Sequence, residues 1–434
     1  MYACFRTFAV LACVAAPLLA SASPAVAAPA AAGGSAVFLH VDGMGANTWT
    51  AVRLAEVGPD GRLAWDRLPA VAVYVGPMLD GVTATSNGGA TSHHWGVRAE
   101  KASYGTIGGV PIPRALSGAT VPIGLEAKRA GKAVGIVNSA TITEPGSGSV
   151  LAMVAQRKDH AQIAAQILAA QPDVALGGGE RYFLPEGVMG RHGPGARGDG
   201  RNLVEEARRA GYTVVFTRAE LAAVPAGTSR LLGLFATEET FNEGSEEVLE
   251  AARLPVFQPQ APRYDEMVAA ALRILSKAPA GFLLVANEEA TDNLGGDNNA
   301  SGVIEAGLGA DRAIRLVSEA AARDPRITLV VASDSDCGGL QVVGDDVEPG
   351  EEIPAHGENG APQDGLRGKP FLAAPDRTGK RHPFIVTWAA EGDVSGGVVA
   401  RGLGPGAERF VRGTMDSTDV YRALYLGLFG RALP

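Results

Sequence analysis

Residues 35–41 read SAVFLHV and run directly into Asp42-Gly43-Met44-Gly45. A short apolar run that ends at a turn signal is typical of a strand buried on both faces. A carboxylate at such a strand end, beside glycines that allow close backbone approach, suits a metal or phosphate site. A plain Asp-Gly turn is the alternative interpretation of the same four residues. The rest of the sequence decides between a metal or phosphate site and a plain turn.

Similar apolar runs alternate along the chain with segments of helical periodicity. Predicted strands are Ser35–Val41, Val71–Met78, Lys132–Asn138, Asp173–Leu176, Thr213–Thr217, Gly281–Ala286, Ile327–Ala332 and Pro383–Trp388. Predicted helices are Asp159–Ala170, Asn202–Ala210, Tyr264–Lys277 and Ile304–Ala322. This alternation predicts an α/β fold with a mostly parallel central sheet and helices on both faces. Ligands of such sheets bind beyond the carboxyl ends of the strands.

The composition is that of a globular protein with an acidic surface. The 434 residues are 46% hydrophobic and 20% charged, which excludes a disordered chain. The net charge of −9 argues against a nucleic-acid partner, because such proteins carry basic surfaces. A small anionic substrate remains compatible, because a site needs only local positive charge.

The first 27 residues have the pattern of a signal peptide. Arg6 precedes the apolar run FAVLACVAAPLLA at residues 8–20, and Ala25-Val26-Ala27 fits a cleavage site. The run is short for a membrane anchor, which is the alternative. We therefore expect a periplasmic or secreted protein that has no membrane attachment after cleavage and one domain over residues 35–434. Only Cys337 follows the leader, so no internal disulfide is expected.

One long segment interrupts the alternation. Residues 343–381 are rich in glycine, proline and charge and show little periodicity. A loop of this length is usually functional or mobile. We interpret it as an insertion or a lid over the site.

Acidic residues follow three of the predicted strands. Asp42 follows the first, Asp292 lies in the stretch NEEATDN at 287–293, and Asp334 and Asp336 lie in SDSDCGG at 333–339. Carboxylates that face one another repel, so they persist where a cation or a shared proton separates them. Their placement therefore predicts a metal site.

A small polar segment at residues 83–91, TATSNGGAT, leads into a probable helix. Ser86 would then lie at a helix N-terminus, where the helix dipole favours an anion. An ordinary serine N-cap is the alternative.

Together these motifs make the chain resemble the alkaline phosphatase superfamily. Asp42-Gly-Met-Gly is similar to the family's first metal-ligand motif, Ser86-Asn-Gly-Gly-Ala-Thr to its nucleophile motif, and DVALGGGERYFLP at 173–185 to a further signature. The resemblance implies metal-binding roles for Asp42, Asp292 and Asp334, a phosphate-binding role for Arg157, and Ser86 as the nucleophile.

The sequence departs from the family pattern mainly at histidines. Gly296 and Ser335 occupy two positions where the resemblance implies zinc ligands, and no histidine lies near residues 394–396, where a third is expected. Thr85 replaces the aspartate that usually precedes the nucleophile. The region of the third metal also differs, with Asn287 for a glutamate, Gly146 for a threonine and Glu144 at an acidic or histidine position.

These departures bear on the identity of the metal. His93 and His94 follow the nucleophile motif and are candidates to face the site, with core or helix-surface positions as the alternative. His356, on a glycine-rich part of the long loop, is the better candidate for a compensating ligand or proton donor. Asp336 and Glu144 are further oxygen ligands. Because carboxylates suit harder cations, we expect Mg, Mn or Ca to replace one or both zinc ions, although the family pattern favours zinc with magnesium.

The resemblance implies a metal-dependent phosphatase that acts on phosphate monoesters through a phosphoserine. A phosphodiesterase or a phosphotransferase on the same fold is an alternative, because a fold does not fix the substrate. A non-catalytic binder of a phosphorylated ligand is another, favoured by the missing histidines. The expected partner is a small phosphorylated substrate, and a homodimer is possible.

Overall fold

The computed structural model describes residues 34–344 and 347–434, so the predicted signal peptide lies outside the described residues. The strands are β1 (Ser35–Val41), β2 (Ala70–Val75), β3 (Thr106–Ile107), β4 (Val110–Pro111), β5 (Ala133–Thr141), β6 (Val174–Gly178), β7 (Thr213–Val215), β8 (Leu231–Leu234), β9 (Phe282–Glu288), β10 (Ile327–Ala332), β11 (Asp336–Cys337), β12 (Gln341–Val343), β13 (Gln363–Asp364), β14 (Phe371–Leu372), β15 (Pro383–Thr387), β16 (Asp393–Val394), β17 (Val399–Leu403) and β18 (Arg412–Asp416).

Helices lie between these strands. They are α1 (Ala46–Val57), α2 (Ser86–Trp95), α3 (Ile123–Arg129), α4 (Pro145–Gly148), α5 (His160–Ala170), α6 (Leu203–Arg209), α7 (Arg218–Ala222), α8 (Glu246–Ala252), α9 (Tyr264–Leu275), α10 (Ala290–Gly296), α11 (Ala300–Arg323), α12 (Pro405–Phe410) and α13 (Thr418–Phe429). Among the described residues, no helix is both long enough and apolar enough to cross a membrane.

Ten strands form the central sheet, in the order β18-β2-β17-β10-β1-β9-β5-β6-β8-β7. All neighbours are parallel except β17, which runs antiparallel to both β10 and β2. The strand β1 lies between β9 and β10, and His40 is opposite Asn287 on one side and Ala332 on the other. The three predicted acidic segments therefore leave the sheet at the same edge.

Both faces of the sheet are covered. Alternate residues of β1 enter two separate cores, with Val37 and Leu39 in one and Phe38 in the other. The first core includes residues of α1, α9 and α11, and the second includes residues of α3, α5, α6 and α13. A strand buried on both faces explains why residues 35–41 are almost wholly apolar. The predicted fold class is confirmed.

The sequence-based boundaries differ from the structure in two respects. The predicted strand at 383–388 exists as β15, but it belongs to a small antiparallel sheet with β12, β13 and β14 rather than to the central sheet. Three strands of the central sheet, β8, β17 and β18, were not predicted. The sequences VARGL of β17 and RGTMD of β18 lack the apolar runs of the central strands, whereas the short apolar run LLGL of β8 was overlooked. The strands β17 and β18 lie at or near the sheet edge, where fewer apolar residues are needed.

The long segment 343–381 is anchored at several points on the domain. It contributes β13 and β14 to the small sheet. The Ala374 amide donates to the Leu54 carbonyl over 2.8 Å, and the Ala300 amide donates to Asp364 Oδ2 over 2.7 Å. These bonds tie the segment to α1 and to the start of α11. Its role as a lid stays a prediction.

Candidate functional site

The turns that follow β1, β9 and β10 are joined by hydrogen bonds. The Asp42 amide donates to the Glu288 carbonyl over 3.1 Å, and Thr291 Oγ1 donates to the Asp42 carbonyl over 2.5 Å. On the other side, the Cys337 amide donates to the Gly43 carbonyl over 2.9 Å. The predicted convergence of Asp42, Asp292 and Asp334 at one sheet edge therefore has a backbone basis.

The first cluster consists of His40, Asp42 and Asp334, all buried. His40 Nε2 lies 3.7 Å from Asp42 Oδ1 and 3.5 Å from Asp334 Oδ1. Within residues 34–344 and 347–434, no hydrogen-bond partner exists for either ring nitrogen of His40, for Asp42 Oδ2 or for either carboxylate oxygen of Asp334. Buried polar atoms without partners are costly, so their concentration at one point indicates a site for a ligand.

Burial governs the protonation of this cluster. It raises the pKa values of Asp42 and Asp334, and the charge of Asp334 raises that of Asp42 further. Burial also lowers the pKa of His40, which leaves its imidazole neutral near neutral pH. Two carboxylates beside a neutral imidazole need either protons or a cation, and this donor set fits a divalent metal ion.

The second cluster consists of Asp292, Cys337 and Asp393, whose possible ligand atoms all lie within 4.8 Å of one another. Asp393 comes from β16, which pairs with β11, and its Oδ1 accepts a hydrogen bond from Ser335 Oγ over 2.5 Å. Burial, with the nearby carboxylates Asp292 and Asp393, raises the pKa of the Cys337 thiol. The cluster lies close to the segment where a third histidine was expected, and its donors are oxygen and sulfur.

Gly43 makes the approach of the two clusters possible. Its φ of +62° is in the left-handed region, and an added Cβ would lie 2.7 Å from both Asp292 Oδ1 and Cys337 Cβ. A side chain at this position would be strained and would collide with the second cluster. The glycine after Asp42 is therefore required by the site, as the sequence motif suggested.

Asp336 is not part of either cluster. A Cβ added to Gly45, the residue that precedes α1, would lie 2.2 Å from Asp336 Cγ. Burial raises the pKa of Asp336 to about 7, and its Oδ1 lacks a hydrogen bond among the described residues. Its position at the start of α1 is also explained by the helix dipole. Its predicted role as a metal ligand stays a prediction.

Ser86 is the first residue of α2, and it is buried. Thr85 caps the helix, with its Oγ1 accepting from the Gly88 amide over 3.4 Å. Gly89 lies one turn after Ser86 on the same face, and a Cβ added there would lie 2.3 Å from Asp334 Cβ. The first turn of α2 therefore packs directly against the first cluster.

Arg157 is held by two carboxylates. It forms an ion pair with Glu144 Oε2, and its Nη2 lies 4.0 Å from Glu289 Oε1. The Arg157 side chain is 42% exposed, whereas both carboxylates are buried. Part of the guanidinium therefore remains available to a ligand. Glu144 is used here as the partner of the arginine, so its predicted role as a metal ligand stays a prediction.

The region where the resemblance implies a third metal contains glycine and asparagine side by side, and their packing fills the space. A Cβ added to Gly146 would lie 2.3 Å from the Asn287 Oδ1 atom, so no side chain fits at that position. Asn287 Nδ2 donates to Glu289 Oε2. Burial, together with Asp42 and Glu144, raises the pKa of Glu289. This buried carboxylate was not predicted, although its segment was recognised as acidic.

His356 lies on the exposed surface of the long segment, where its backbone bridges to Pro362. The part of the chain that the structure describes shows no bond between its side chain and the two clusters. Its proposed role as a ligand or proton donor stays a prediction. His93 and His94 are both buried in α2, where His93 Nε2 pairs with Tyr74 Oη at 2.7 Å and His94 Nδ1 with Ser149 Oγ at 2.8 Å.

His40 and Asp393 are the functional candidates that sequence reasoning missed. A signal for His40 existed, because residues two apart on a strand point to the same face, and Asp42 follows His40 by two. No comparable signal existed for Asp393, because the pairing of β11 with β16 joins segments far apart in the chain.

Comparisons with known proteins agree with this geometry. A family model described as alkaline phosphatase matches residues 35–361. The tissue-nonspecific alkaline phosphatase isozyme of Gallus gallus is 30% identical over 333 residues, covering 68% of this chain and 62% of that protein, which is less than two thirds of its length. The streptomycin-6-phosphate phosphatase of Streptomyces griseus is 30% identical over 347 residues, covering 69% and 73%.

Solved structures show the same fold. The alkaline phosphatase of Thermus thermophilus has a TM-score of 0.70 at 22% identity, with 92% of this chain and 91% of that chain covered. The alkaline phosphatase of the Antarctic bacterium TAB5 has a TM-score of 0.67 at 18% identity, with 91% and 97% covered. Family model, relatives and fold thus agree, and the chain belongs to the alkaline phosphatase family.

Proposed function

We propose that the protein is a metal-dependent phosphatase that hydrolyses phosphate monoesters through a phosphoserine intermediate on Ser86. The observation that carries this proposal is the contact between the first turn of α2 and Asp334, whose buried carboxylate oxygens lack partners among the residues that the structure describes. This contact supports a position for the Ser86 hydroxyl, the proposed nucleophile, beside an anionic cluster that fits a cation. Membership of the alkaline phosphatase family supports the broader assignment as a phosphoric ester hydrolase.

The donor sets fit two cations. Asp42 and Asp334 would hold one and Asp292 with Asp393 the other, because the ligand atoms within each cluster lie close together. Divalent cations bound there would lower the pKa of the Ser86 hydroxyl and stabilise the charge on the attacking and leaving oxygens. The candidates are Mg and Zn, with Mn and Ca as alternatives.

Ser86 would supply the covalent step. Its Oγ would attack phosphorus and lose its proton, while the ester P–O bond breaks and the alcohol leaves. Water would then hydrolyse the phosphoserine, which releases inorganic phosphate and restores the hydroxyl. The position of Ser86 at the start of α2 supports this role, because the helix dipole favours a phosphoryl anion there.

Arg157 would bind nonbridging oxygens of the phosphoryl group. Its planar guanidinium carries five N–H donors, and the ion pair with Glu144 uses one nitrogen of the fork. The N–H groups that this ion pair leaves free would donate hydrogen bonds to phosphate. His356 is retained as a further substrate-binding candidate, delivered by the long segment.

Two other functions are retained. A phosphodiesterase or phosphotransferase would use the same serine and cations with a different substrate or acceptor. A non-catalytic binder of phosphorylated ligands is favoured by Gly296 and Ser335, which stand where the resemblance implies zinc-ligand histidines. Ser86 beside the clusters favours catalysis, because binding alone needs no nucleophile.

Export is also a proposal, and it rests on the signal-peptide pattern of residues 1–27. The protein would then act in the periplasm or outside the cell on a small phosphorylated substrate, without nucleic-acid or membrane partners and with a homodimer as a possible assembly. One relative, from Bombyx mori, is named a membrane-bound alkaline phosphatase. Fractionation of expressing cells, followed by N-terminal sequencing of the exported protein, tests this.

The function itself is tested by measuring metal content and aryl phosphate hydrolysis on the same preparation, before and after chelation. We expect bound divalent metal and hydrolysis that disappears with chelation and returns on reloading. Turnover of diesters but not monoesters would favour the phosphodiesterase. Phosphate binding without turnover of either ester would favour the binder.

A further inference from the structure

We propose that His40 Nε2 is a metal ligand, which completes a mixed nitrogen and oxygen site with Asp42 and Asp334. The inference rests on the metal dependence in the proposed function and names a ligand that no motif of the sequence indicates. It follows from the position, packing and unmet hydrogen-bonding capacity of this one side chain.

The position of His40 is set by the sheet. It lies on the central strand β1, between β9 and β10, and two residues before Asp42. Residues at this spacing share one face of a strand, so the imidazole and the carboxylate extend in the same direction. The Asp334 carboxylate, which follows the neighbouring strand β10, reaches the same point.

The distances suit ligation better than direct hydrogen bonding. His40 Nε2 is 3.7 Å from Asp42 Oδ1 and 3.5 Å from Asp334 Oδ1, beyond a normal hydrogen bond. Ligand atoms around a tetrahedral zinc, with bonds of about 2.0–2.1 Å, are about 3.3 Å apart. The separations are therefore close to those around a shared ion.

The imidazole has no other function among the described residues. It is fully buried, and neither ring nitrogen has a hydrogen-bond partner in residues 34–344 and 347–434. A structural histidine in a core normally satisfies at least one nitrogen, as His93 and His94 do. An unsatisfied imidazole lies beside Asp334, neither of whose oxygens has a partner among the described residues, and beside Asp42, whose Oδ2 has none. This arrangement indicates a missing ligand rather than a packing residue.

The ring is held by its neighbours. Phe38 stacks on it with centroids 5.4 Å apart, and His93 packs edge-on at 5.2 Å. Asn287 is opposite His40 in the register of β9, and its Oδ1 also lacks a partner among the described residues. A metal-bound histidine commonly donates its second ring N–H to an acceptor, and in the metal-bound protein Asn287 Oδ1 would be that acceptor for Nδ1.

This donor set has a consequence for metal choice. Imidazole nitrogen suits zinc and other first-row transition ions, whereas Mg and Ca prefer oxygen ligands alone. The first centre should therefore select a transition metal even though the histidines that the resemblance implies are absent. The expectation of hard cations at an oxygen-rich site did not include this imidazole.

The test measures metal binding rather than turnover. Chelated full-length protein is titrated with Zn²⁺ against a chromophoric chelator, and bound metal is counted by elemental analysis, for wild type, His40→Asn and His94→Asn. His94 is the matched control, because it is an equally buried histidine that pairs with Ser149 instead of a carboxylate. We expect His40→Asn to lose one equivalent or to weaken one site by at least about tenfold, and His94→Asn to match wild type. Equal affinity and stoichiometry in all three proteins would overturn the proposal.

A second measurement avoids dependence on a variant that fails to fold. Wild-type protein labelled with ¹⁵N-histidine and loaded with ¹¹³Cd should show cadmium coupled to an imidazole nitrogen that resonance assignment identifies as Nε2 of His40. The absence of any such coupling in the loaded protein would overturn the proposal, and coupling only at another histidine would also overturn it. If wild type shows the coupling but hydrolyses no phosphate ester, the proposed function fails and the assignment of His40 stands. If wild type hydrolyses esters but metal binding does not depend on His40, the proposed function stands and the assignment of His40 fails.

Discussion

Gly89 packs against Asp334 so closely that a Cβ on the glycine would lie 2.3 Å from the Cβ of the aspartate. This contact joins the helix that begins at Ser86 to the carboxylates at the end of the sheet. A shift of either residue would therefore change the position of Ser86, the proposed nucleophile, relative to the cluster. The relationship explains why a glycine follows Ser86 by three positions.

Replacement of Gly89 by alanine should therefore disturb the site more than the fold. Alanine favours a helix interior by about 0.5–1 kcal/mol over glycine, so α2 itself gains stability. The added methyl group must displace Asp334, and we expect phosphatase activity to fall at least about tenfold for a misplacement of this kind. Far-UV circular dichroism and aryl phosphate kinetics measure the two effects. Gly227→Ala is the control, because an added Cβ there meets nothing within 4 Å. Full activity in Gly89→Ala would show that this contact does not position the site.

Arg157→Lys should weaken phosphate binding while it retains the positive charge. Lysine cannot form the planar fork, so we expect the inhibition constant of inorganic phosphate to rise by about tenfold, which corresponds to one lost charge-assisted hydrogen bond. Arg181→Lys is the matched control, because Arg181 also pairs with a glutamate, Glu238, outside the two clusters. Phosphate inhibition equal to wild type would place Arg157 outside the substrate site.

Glu144→Gln separates the two roles considered for this residue. If Glu144 serves as the partner of Arg157, the variant frees the guanidinium and phosphate should bind more tightly. Metal content should then be unchanged, because Glu144 Oε2 accepts a hydrogen bond from Arg157 instead of binding a metal ion. Loss of bound metal without tighter phosphate binding would instead support the predicted role of Glu144 as a metal ligand. Inhibition kinetics and elemental analysis of the same sample distinguish these results.

The second cluster makes a separate prediction about stoichiometry. Asp292→Asn and Asp393→Asn should each lose one bound ion and leave the other, because both residues belong to the second cluster and neither belongs to the first. Asp336→Asn should retain wild-type metal content, since the structure places Asp336 against Gly45 and outside both clusters. Elemental analysis after dialysis checks all three. A lost ion in Asp336→Asn, with none lost in Asp393→Asn, would contradict this division of ligands.

The stability of the metal-free protein should fall as the pH rises. Burial raises the pKa of Glu288 from 4.5 to about 8, so the folded state holds a proton there that the unfolded state releases. Stability is then greatest below the unfolded pKa and declines with increasing pH until the folded pKa is passed. We expect Tm to fall between about pH 5 and pH 8, and Glu288→Gln to reduce this slope. Thermal unfolding in chelator measures it, with Glu250→Gln as an exposed control. An unchanged slope in Glu288→Gln would assign the dependence to other groups.

The sequence predicted those strands that are visible as a local apolar pattern. The bounds of β1 and β10 were correct to the residue, because strands buried on both faces are continuous apolar runs. The antiparallel strand β17 was missed, since its sequence VARGL carries an arginine and a glycine. Its position in the sheet depends on pairing with β2 and β10, which no local pattern records.

The site shows the same contrast between residues that a local pattern indicates and residues that long-range pairing brings in. The acidic stretches that contain Asp42, Asp292 and Asp334 follow strands, which predicted that they meet at one sheet edge, and the family resemblance selected these three residues. Asp393 arrives through the pairing of β16 with β11, which the sequence does not reveal. The ion pair of Arg157 with Glu144 likewise depends on tertiary packing. Its consequence, that one donor of the arginine is already engaged, was not foreseeable.

In the proposed mechanism, Ser86 carries the phosphoryl group during turnover. The direct measurement is rapid acid quenching of metal-loaded protein with an aryl phosphate, followed by mass spectrometry of the peptide that contains Ser86. Ser92→Ala is the control, because Ser92 lies on the same helix and donates to the Gly88 carbonyl over 2.9 Å. We expect phosphoserine at Ser86 in wild type and in Ser92→Ala. We expect neither phosphoserine nor turnover in Ser86→Ala. Sustained hydrolysis by a folded Ser86→Ala protein, or turnover by wild type without any phosphoserine at this position, would contradict it.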